Sequence, residues 1–512
     1  MKYPIGIQNF EKIRKGGFVY VDKTALVYKI VSEGSYYFLS RPRRFGKSLL
    51  LSTFDSYFEG RKELFDGLAI SELEKDWQPY PILHLDLNTR EYKDGQSLKD
   101  ELNKHLEKWE ALYGDKYKGR SVEERFYQVI ELAYKKTGRQ VVILVDEYDK
   151  PLLQAIGNEV LQAEYRSTLK AFYGALKSCD KYIRFAFLTG VTKFGKVSVF
   201  SDLNNLKDIS FDRRYIEICG ITEKELHDNF DQRVGELGVA NGLSKDECYS
   251  RLKEDFDGYH FEYDTVGLYN PFSVLNTLDS CQFRDYWFET GTPSFLVQQL
   301  QKTDYPLARM TEEELTADTL NSIDIMDENP LPLLYQSGYL TIRSYDKEFK
   351  SYLLGFPNRE VREGFIRYLV PFYTPKTFQK APFQIGNFIK EVRTGDAEGF
   401  MHRLESLFAG GDYQIMGNKE IYFQNVIYVL FQLIGLYVDV ERHTANGRMD
   451  IVMQTSDYVY IFELKIDQTA DAALRQIEEK QYGSAFAADS RHIYKIGVNF
   501  STDKRTINYA IL

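Results

Sequence analysis

The sequence has only four cysteines, and its few histidines are scattered. Cys179, Cys219, Cys248 and Cys281 are far apart and include no CxxC pair. This pattern argues against a disulfide framework and a cysteine zinc site, and it favours reduced thiols. None of the seven histidines belongs to an HExxH pattern, so that type of zinc hydrolase is excluded.

Long apolar runs are also missing. The longest candidate, Ile427 to Val438, is interrupted by Gln432 and falls short of the roughly 20 residues that span a bilayer. The segment from Met1 to Gly17 lacks the apolar stretch of a signal peptide. We therefore expect a soluble, cytoplasmic protein with no membrane partner.

An excess of positive charge is absent as well. Acidic residues outnumber basic ones by 75 to 65, and the formal net charge is -10. A protein that coats nucleic acid along its whole surface is therefore excluded, and any nucleic-acid contact requires a local basic patch. The length of 512 residues, with 43% hydrophobic residues and 14 prolines, indicates a folded chain of two to four domains.

The N-terminal part of the chain alternates between strand and helix patterns. Because such alternation is typical of a parallel sheet covered by helices on both faces, we predict that architecture here. The run Val141 to Val145 is continuously apolar, as expected for a strand buried on both sides. The predicted strands are Tyr36–Ser40, Pro81–Leu87, Val141–Val145 and Ile183–Thr189. One predicted helix begins at Ser48, and the others cover Leu98–Leu112, Val122–Lys136 and Glu159–Ser178.

The pattern changes after about residue 215. Three capping-box sequences predict helix starts at Thr222, Ser244 and Thr311, each with a glutamate three residues later. Residues 339–356 are compatible with a small hairpin, so a winged-helix form of this mainly helical region is one alternative. From about residue 385, two helices precede a strand, strand, strand, helix, strand series. We therefore predict domains at 1–215, 216–384 and 385–512.

Residues 40–48 read SRPRRFGKS and lie between a predicted strand and a predicted helix. The phosphate-binding pattern GxxxxGK[ST] is matched except that Arg41 replaces the first glycine. Gly46 allows close approach of the backbone, and the helix N-terminus directs unpaired N–H groups towards an anion. Lys47 would reach the outer phosphates of a nucleotide, and the Ser48 hydroxyl would bind Mg²⁺.

Two acids follow the buried run at Val141 to Val145. Asp146 is expected to hold Mg²⁺ through its water shell, and Glu147 to orient and deprotonate the attacking water. The alternative is a solvated acidic loop. At the end of the next strand, Thr189 or Thr192 would sense the terminal phosphate, and a plain turn is the alternative.

Several longer motifs carry a family resemblance. They are FVYVDKT (18–24), RPRRFGKSLLLSTF (41–54), VDEYDKPL (145–152), LTGVTKFGKVSVFSDLNNLKDIS (188–210) and YWFETGTPSFLV (286–297). These motifs resemble the bacterial AAA-ATPase-like family, whose members commonly carry a C-terminal domain of the PD-(D/E)xK nuclease superfamily. The resemblance implies that Arg41 belongs to this family's own form of the phosphate loop. It also implies that Asp22 and Lys23 lie near the nucleotide.

Near the C-terminus, two tight turns set the register of three predicted strands. Asn446-Gly447 is a two-residue hairpin signal, and Ser456-Asp457 forms a second turn. If the second turn is also a two-residue hairpin, Asp450 lies directly opposite Glu463 and shares a face of the sheet with it. The period of two places Lys465 on the same face, although a one-residue bulge would break this register.

Two converging carboxylates repel one another unless a divalent cation lies between them, so we expect a metal-dependent phosphodiester site here. An ordinary salt-bridge ladder is the alternative interpretation. The pattern resembles the PD-(D/E)xK core, which implies catalytic roles for Asp450, Glu463 and Lys465. The resemblance further implies a supporting metal-side acid at Glu420 and DNA-backbone contacts at Gln476 and Lys480.

We thus predict an α/β protein with a P-loop NTPase parallel sheet, a mainly helical middle region and a restriction-endonuclease-like C-terminal domain. The expected function is ATP binding and hydrolysis, with ATP and Mg²⁺ as cofactors, coupled to a Mg²⁺-dependent nuclease acting on DNA in defence or mobile-DNA handling. RNA as a target and a homo-oligomer stay open. The alternative is a nucleotide-gated switch whose C-terminal domain binds nucleic acid or a protein without cutting. The expected nucleotide-binding residues are Arg44, Gly46, Lys47, Ser48, Asp146, Asp22, Lys23 and Thr189, and the expected metal ligands are Ser48, Asp146, Asp450, Glu463 and Glu420.

Overall fold

The computed structural model divides the chain into two compact units. The first contains Met1–Gly291 and Thr311–Val361, and the second contains Thr292–Met310 and Arg362–Leu512. The domain borders near residues 215 and 384 stay a prediction, because compact units report packing and not independent folding. The structure describes residues 1–116, 119–193, 199–200, 203–289, 294–321, 329–373, 381–409, 419–445, 448–486, 488–503 and 506–512, without the side chains of 289, 294, 381–384, 409, 419–420, 441–445, 448–450 and 484–485.

The first unit contains the predicted parallel sheet. Its strands are β1 (Tyr36–Ser40), β2 (Ile82–Asp86), β3 (Val141–Asp146), β4 (Ile183–Gly190) and β5 (Lys207–Asp208). They lie in the spatial order β2-β3-β4-β1-β5, and every pair is parallel. All residues of β1 and β3 are buried, as their apolar sequences predict. The carboxyl ends of the strands therefore meet at one edge of the sheet, with Ser40 opposite Gly190 and Asp86 opposite Asp146.

Helices connect and cover these strands. The amphipathic helix Val122–Thr137 turns an apolar side towards the core and begins at a capping box formed by Ser121 and Glu124. The helices up to β4 are Phe10–Gly16, Thr24–Glu33, Lys47–Phe58, Ala69–Leu73, Gly95–Tyr113, Val122–Thr137, Lys150–Gln154 and Glu159–Ser178, with short 3₁₀ turns at Lys62–Phe65, Leu87–Thr89 and Asp180–Tyr182.

The rest of the first unit is mainly helical and contains two small sheets. β6 (Ile221–Thr222) pairs with β7 (Leu268–Tyr269), and β8 (Glu314–Thr316), β9 (Thr341–Asp346) and β10 (Ser351–Gly355) form a sheet in the order β8-β10-β9. The antiparallel pair β9–β10 confirms the predicted hairpin. The remaining segments are the 3₁₀ turn Arg213–Ile218 and the helices Glu223–Ala240, Lys245–Phe256, Pro271–Ser280, Tyr286–Glu289, Ala317–Asn321 and Leu331–Gln336.

Two of the three predicted capping boxes are confirmed, and the third is wrong. Thr222 and Ser244 each cap a helix together with the glutamate three residues later. Thr311 instead ends a 3₁₀ turn, and Glu314 begins strand β8. Pairing with β10 outweighs the local helix signal, and the Glu314 carboxylate accepts a hydrogen bond from the Ser351 hydroxyl.

The second unit contains a mixed sheet. Its strands are β11 (Asp439–Ala445), β12 (Arg448–Gln454), β13 (Tyr458–Ile466), β14 (His492–Ser501) and β15 (Thr506–Ile511), which lie in sequence order across the sheet. Only the β13–β14 contact among these pairs is parallel, and the helix Ala470–Glu479 makes that crossover. The other helices are Ser294–Lys302, Arg359–Tyr373, which begins in the first unit, Ala381–Thr394, Ala397–Ala409 and Lys419–Ile434, and a 3₁₀ turn covers Tyr482–Phe486.

The early segment of the second unit is tied to a helix far along the chain. The side-chain oxygen of Asn425 accepts a hydrogen bond from the backbone N–H of Leu307 at 2.8 Å. The amide nitrogen of Asn425 donates to the carbonyl oxygen of Tyr305 at 2.9 Å. Asn425 is buried, so both contacts are shielded from water.

Among the described residues, no helix combines the length and apolar character needed to cross a membrane.

Candidate nucleotide and nuclease sites

The phosphate loop follows β1 directly and ends at the helix Lys47–Phe58. Gly46 precedes this helix with a φ of 96°, and Arg44 also has a positive φ, 67°. Left-handed residues alternating with ordinary ones turn successive N–H groups towards one concave side, which is a common anion-binding arrangement. The first turn of the helix adds further unpaired N–H groups. The half-buried Ser48 lies in that turn, and the exposed Arg44 side chain lies over the ring of Phe272 at 5.0 Å.

Lys47 is buried and folds back into the loop. Its ammonium nitrogen donates to the carbonyl oxygens of Arg41 and Pro42 at 2.9 Å and 3.0 Å. Burial lowers the pKa of Lys47, and the carboxylates of Glu147 and Asp146 oppose that change. The ammonium group therefore lies within the field of both predicted acids, which is the arrangement required of a phosphate-binding lysine.

Arg41, which replaces the first glycine of the pattern, points into the protein. Its guanidinium donates to the carbonyl oxygens of Ser40 at 2.9 Å and Ser210 at 2.8 Å, and it lies 4.0 Å from the ring centroid of Phe261. Only 1% of the residue is exposed, and burial lowers its pKa to about 10. Arg41 thus acts as an internal support of the loop and not as a phosphate ligand.

Asp146, the last residue of β3, and Glu147, the next residue, lie at the carboxyl edge of the sheet. The Thr189 hydroxyl, at the end of β4, donates to the Asp146 carboxylate at 2.7 Å. Because β4 lies between β1 and β3, Thr189 is held between the phosphate loop and Asp146. Burial raises the pKa of Glu147, and Lys47 opposes this effect. Glu147 also has a φ of 52°, an unfavourable backbone conformation of the kind that occurs at functional sites.

Asp149 is a residue of this site that the sequence did not reveal. It is fully buried and accepts hydrogen bonds from the backbone N–H groups of Val191 and Thr192 and from the Thr192 hydroxyl. Burial raises the pKa of Asp149, and the bonds from Thr192 oppose that effect. The carboxylate fixes the backbone that follows Thr189. The only sequence feature that could have indicated Asp149 is its place in the run DEYDK, shortly after the two predicted acids. A further acid in a loop is too common to interpret alone.

An apolar pocket lies beside the phosphate loop. Its cavity volume is about 100 Å³, and its lining includes Gly46 and Lys23. Lys23 forms an ion pair with Glu225 at 2.5 Å, so its ammonium group is held at this position. Asp22 instead accepts hydrogen bonds from the N–H groups of Thr24 and Ala69 and is not part of the lining. The other lining residues are mostly apolar: Pro4, Val19, Tyr20, Val21, Phe45, Leu49, Leu50, Thr53, Ile218, Cys219, Gly220, Ile221, Phe230, Pro271 and Leu275.

The second unit has the strand register predicted from the tight turns. Thr455 donates its backbone N–H to the carbonyl oxygen of Tyr458, and Asp450 pairs directly with Glu463. The turn at Asn446-Gly447 lies outside the described residues, as does the side chain of Asp450. The backbone register alone therefore places Asp450 and Glu463 on one face of the sheet.

The buried Glu463 and Lys465 form a polar cluster with the half-buried Gln476. The Lys465 ammonium donates to the Glu463 carboxylate at 2.7 Å and to the side-chain oxygen of Gln476. Glu463 has no exposed surface, and Lys465 is 6% exposed. The amide nitrogen of Gln476 is buried and has no hydrogen-bond partner among the described residues, so one strong donor remains for a ligand oxygen.

The remaining predicted residues of this site are less closely placed. Lys480 is exposed at the end of the helix Ala470–Glu479. Glu420 belongs to the helix Lys419–Ile434, but its side chain lies outside the described part of the chain. In that part, no three histidine, cysteine, aspartate or glutamate side chains group as metal ligands. The buried Glu463 carboxylate and the backbone position of Asp450 fit a hard divalent cation, which prefers oxygen ligands.

Comparisons with known proteins find a match for each of the two predicted domain types. A family model described as a predicted AAA-ATPase matches residues 4–200, and a model of the PD-(D/E)XK nuclease superfamily matches residues 418–510. A relative from Azotobacter chroococcum mcd 1, the "Uncharacterized protein in vnfD 5'region", is 35% identical and aligns over 99% of this chain and 98% of its own. The chain therefore belongs to the AAA-ATPase-like family, with an N-terminal AAA-ATPase-like domain and a C-terminal domain of the PD-(D/E)XK nuclease superfamily.

Proposed function

We propose that the first unit binds and hydrolyses ATP with Mg²⁺ at the carboxyl edge of its parallel sheet. The observation that carries this proposal is the grouping of Lys47, Asp146 and Thr189 around a loop with left-handed Arg44 and Gly46. Mg²⁺, when bound, would neutralise phosphate charge. Ser48 and Asp146 are the residues that would hold it. Lys47 would leave the carbonyl oxygens of Arg41 and Pro42 and donate to the phosphates instead.

Glu147 is the proposed general base of hydrolysis. Burial raises the pKa of Glu147, which makes the carboxylate a better proton acceptor than an exposed glutamate, and the Lys47 ammonium opposes that rise. Thr189 holds the neighbouring Asp146 and would report the presence of the terminal phosphate through that bond. The site thus contains a cationic phosphate ligand, a metal-side acid and a base.

The apolar pocket beside Gly46 is the proposed position of the adenine base. A nucleobase is flat and largely apolar on its faces, and the walls formed by Val19, Val21 and Ile221 suit such a surface. Lys23 and Thr53 provide polar groups in the same lining. Lys23 and Gly46 border one cavity, so a nucleotide there would reach the phosphate loop directly.

We further propose that the second unit cleaves DNA with a divalent metal ion at Asp450, Glu463 and Lys465. The observation that carries this part is the hydrogen-bonded cluster of the buried Glu463 and Lys465 with Gln476. The metal, when bound, would polarise the phosphodiester. Lys465 would orient the attacking water, and the buried amide nitrogen of Gln476 would donate to a phosphate oxygen. Such an activity suits the handling of foreign or mobile DNA.

Purified full-length protein tests both parts. Wild type and Lys47→Ala are incubated with Mg²⁺ and radiolabelled ATP, and Lys47→Ala should lose binding and hydrolysis. Wild type, Lys465→Ala and Lys495→Ala are then incubated with plasmid, linear and single-stranded DNA, with RNA, and with Mg²⁺ or Mn²⁺, each with and without ATP. Lys495 is the matched control, because it lies on the adjacent β14 and pairs with Glu478.

Cleavage that survives in Lys495→Ala and disappears in Lys465→Ala supports the nuclease. Nucleotide binding without cleavage of any substrate contradicts it and leaves a nucleotide-gated binding protein. Cleavage of RNA but not of DNA would mean that the substrate is RNA and not the proposed DNA. Cleavage that depends on ATP, and that Lys47→Ala lacks, would show that the two activities are coupled.

A further inference from the structure

The phosphate loop is packed against a later part of the first unit. Pro42 lies so close to Gly338 that a Cβ atom added there would come within 2.7 Å of it. The ring of Phe45 meets the ring of Tyr259 edge-on at 4.8 Å. The indole N–H of Trp287 donates to the carbonyl oxygen of Arg43 at 3.2 Å. Successive residues of the loop are thus each held by a contact from outside the loop.

The Trp287 contact fixes the orientation of one peptide group. In a trans peptide, the carbonyl oxygen and the following N–H point in opposite directions. Because the Arg43 carbonyl is turned towards Trp287, the N–H of Arg44 must point away from Trp287. Arg44 also has a φ of 67°, which is unfavourable for a residue with a side chain. An external contact is needed to keep the peptide in this orientation.

Trp287 is itself held firmly. Its backbone N–H donates to the Glu360 carboxyl at 2.7 Å, and the Ser273 hydroxyl donates to the other oxygen of Glu360 at 2.8 Å. The indole packs against the ring of Tyr339, with 5.0 Å between centroids. Trp287 is 5% exposed and Glu360 is 3% exposed, so water does not compete with these bonds. The indole N–H is therefore fixed before any ligand binds.

We propose that Trp287 is a positioning residue of the nucleotide site. Its hydrogen bond to the Arg43 carbonyl holds the N–H of Arg44 towards the phosphates and stabilises the left-handed backbone at Arg44. A glycine at the first position of the pattern would give the loop conformational freedom, but Arg41 occupies that position here. The hydrogen bond from Trp287 compensates in part, because it holds the loop peptide in the required orientation. This inference rests on the proposed nucleotide binding, because the oriented N–H acts on a phosphate oxygen.

The test compares the same substitution at two buried tryptophans. Trp287→Phe removes the N–H donor and keeps an aromatic ring, whereas Trp109→Phe makes the identical change in the helix Gly95–Tyr113. Dissociation constants for ADP and for adenosine are measured by calorimetry for both variants and wild type. Trp287→Phe should bind ADP about tenfold more weakly, the effect of one hydrogen bond, and adenosine should bind equally well because it has no phosphate. Trp109→Phe should match wild type for both ligands.

Each result has a defined meaning. If wild type binds no ADP, the proposed function fails and this inference fails with it. If wild type binds ADP and Trp287→Phe matches Trp109→Phe, only the positioning role is refuted. An equal loss for ADP and adenosine also refutes it, because a general structural defect would not distinguish them.

A second measurement decides the case if Trp287→Phe does not fold. The chain contains three tryptophans, so Trp77→Phe with Trp109→Phe leaves Trp287 as the sole tryptophan. ADP should then change the emission of Trp287 in proportion to occupancy of the site, and adenosine should not. An emission spectrum that ADP leaves unchanged at saturation would refute the proposal.

Discussion

Replacing Arg41 by glycine would restore the usual phosphate-loop pattern, yet we expect it to weaken the protein. The guanidinium of Arg41 donates to the carbonyl oxygens of Ser40 and Ser210 and lies against the ring of Phe261. Glycine supplies neither the donors nor the ring contact, and those carbonyls would have no replacement from the side chain. The loop would lose its internal support and keep only its external contacts.

The size of the effect follows from opposing terms. Two hydrogen bonds from a charged donor contribute about 3–6 kcal/mol together, and the contact with Phe261 adds about 2 kcal/mol. The fall in pKa from 12.5 to about 10 shows that burial of the cation costs about 3 kcal/mol. Glycine adds about 1 kcal/mol of chain entropy in the unfolded state. Arg41→Gly should therefore lower the free energy of unfolding by roughly 3–6 kcal/mol.

Urea unfolding followed by tryptophan fluorescence isolates this effect. Trp77, Trp109 and Trp287 all belong to the first unit, so the signal reports that unit alone. Arg41→Lys is the matched control, because it keeps the charge but loses the planar guanidinium that lies against Phe261 and whose Nη1 donates to both carbonyls, and it should fall between wild type and Arg41→Gly. If Arg41→Gly is as stable as wild type and binds ATP at least as tightly, the supporting role assigned to Arg41 is wrong.

Two other changes test the same unit. Burial raises the pKa of Glu360 from 4.5 to about 8, so the folded carboxyl keeps its proton while the unfolded one loses it. The free energy of unfolding should fall by up to about 1.4 kcal/mol per pH unit between about pH 5 and 8. Glu360→Gln should remove this pH dependence. Equal slopes for both proteins in urea titrations at several pH values would contradict the assignment. Gly338→Ala should lower stability by at least about 1–2 kcal/mol, since Gly338 has a φ of 89° and faces Pro42, whereas Gly242→Ala, also at positive φ but with open space around it, should cost less.

Much of the core architecture could be predicted because its signals are local. The unbroken apolar run Val141–Val145 indicates a buried strand, and the acids Asp146 and Glu147 follow that run without a gap. The pairing of Asp450 with Glu463 depends on one two-residue turn, so counting from that turn was sufficient. In each case the determining residues are neighbours in the sequence, and the physics that acts on them is short-range.

The features that were missed depend on partners far along the chain. No residue near Arg41 in the sequence indicates that its guanidinium will contact Ser210 and Phe261. The role of Asp149 likewise becomes visible only in the fold, where Thr192 donates a hydrogen bond to its carboxylate. The wrong helix start at Thr311 has the same origin, because Glu314 pairs with strand β10, which lies more than thirty residues later in the sequence. Local propensity cannot report such contacts.

The path of the chain between the two units has a practical consequence for dissecting the protein. A fragment beginning at residue 362 or later would contain Asn425 but neither Leu307 nor Tyr305, which satisfy its buried amide. Leaving that amide without partners in the interior is costly. A C-terminal fragment made by simple truncation would thus be less stable than the intact unit, so a minimal version should carry residues 292–310 joined to 362–512 by a designed linker.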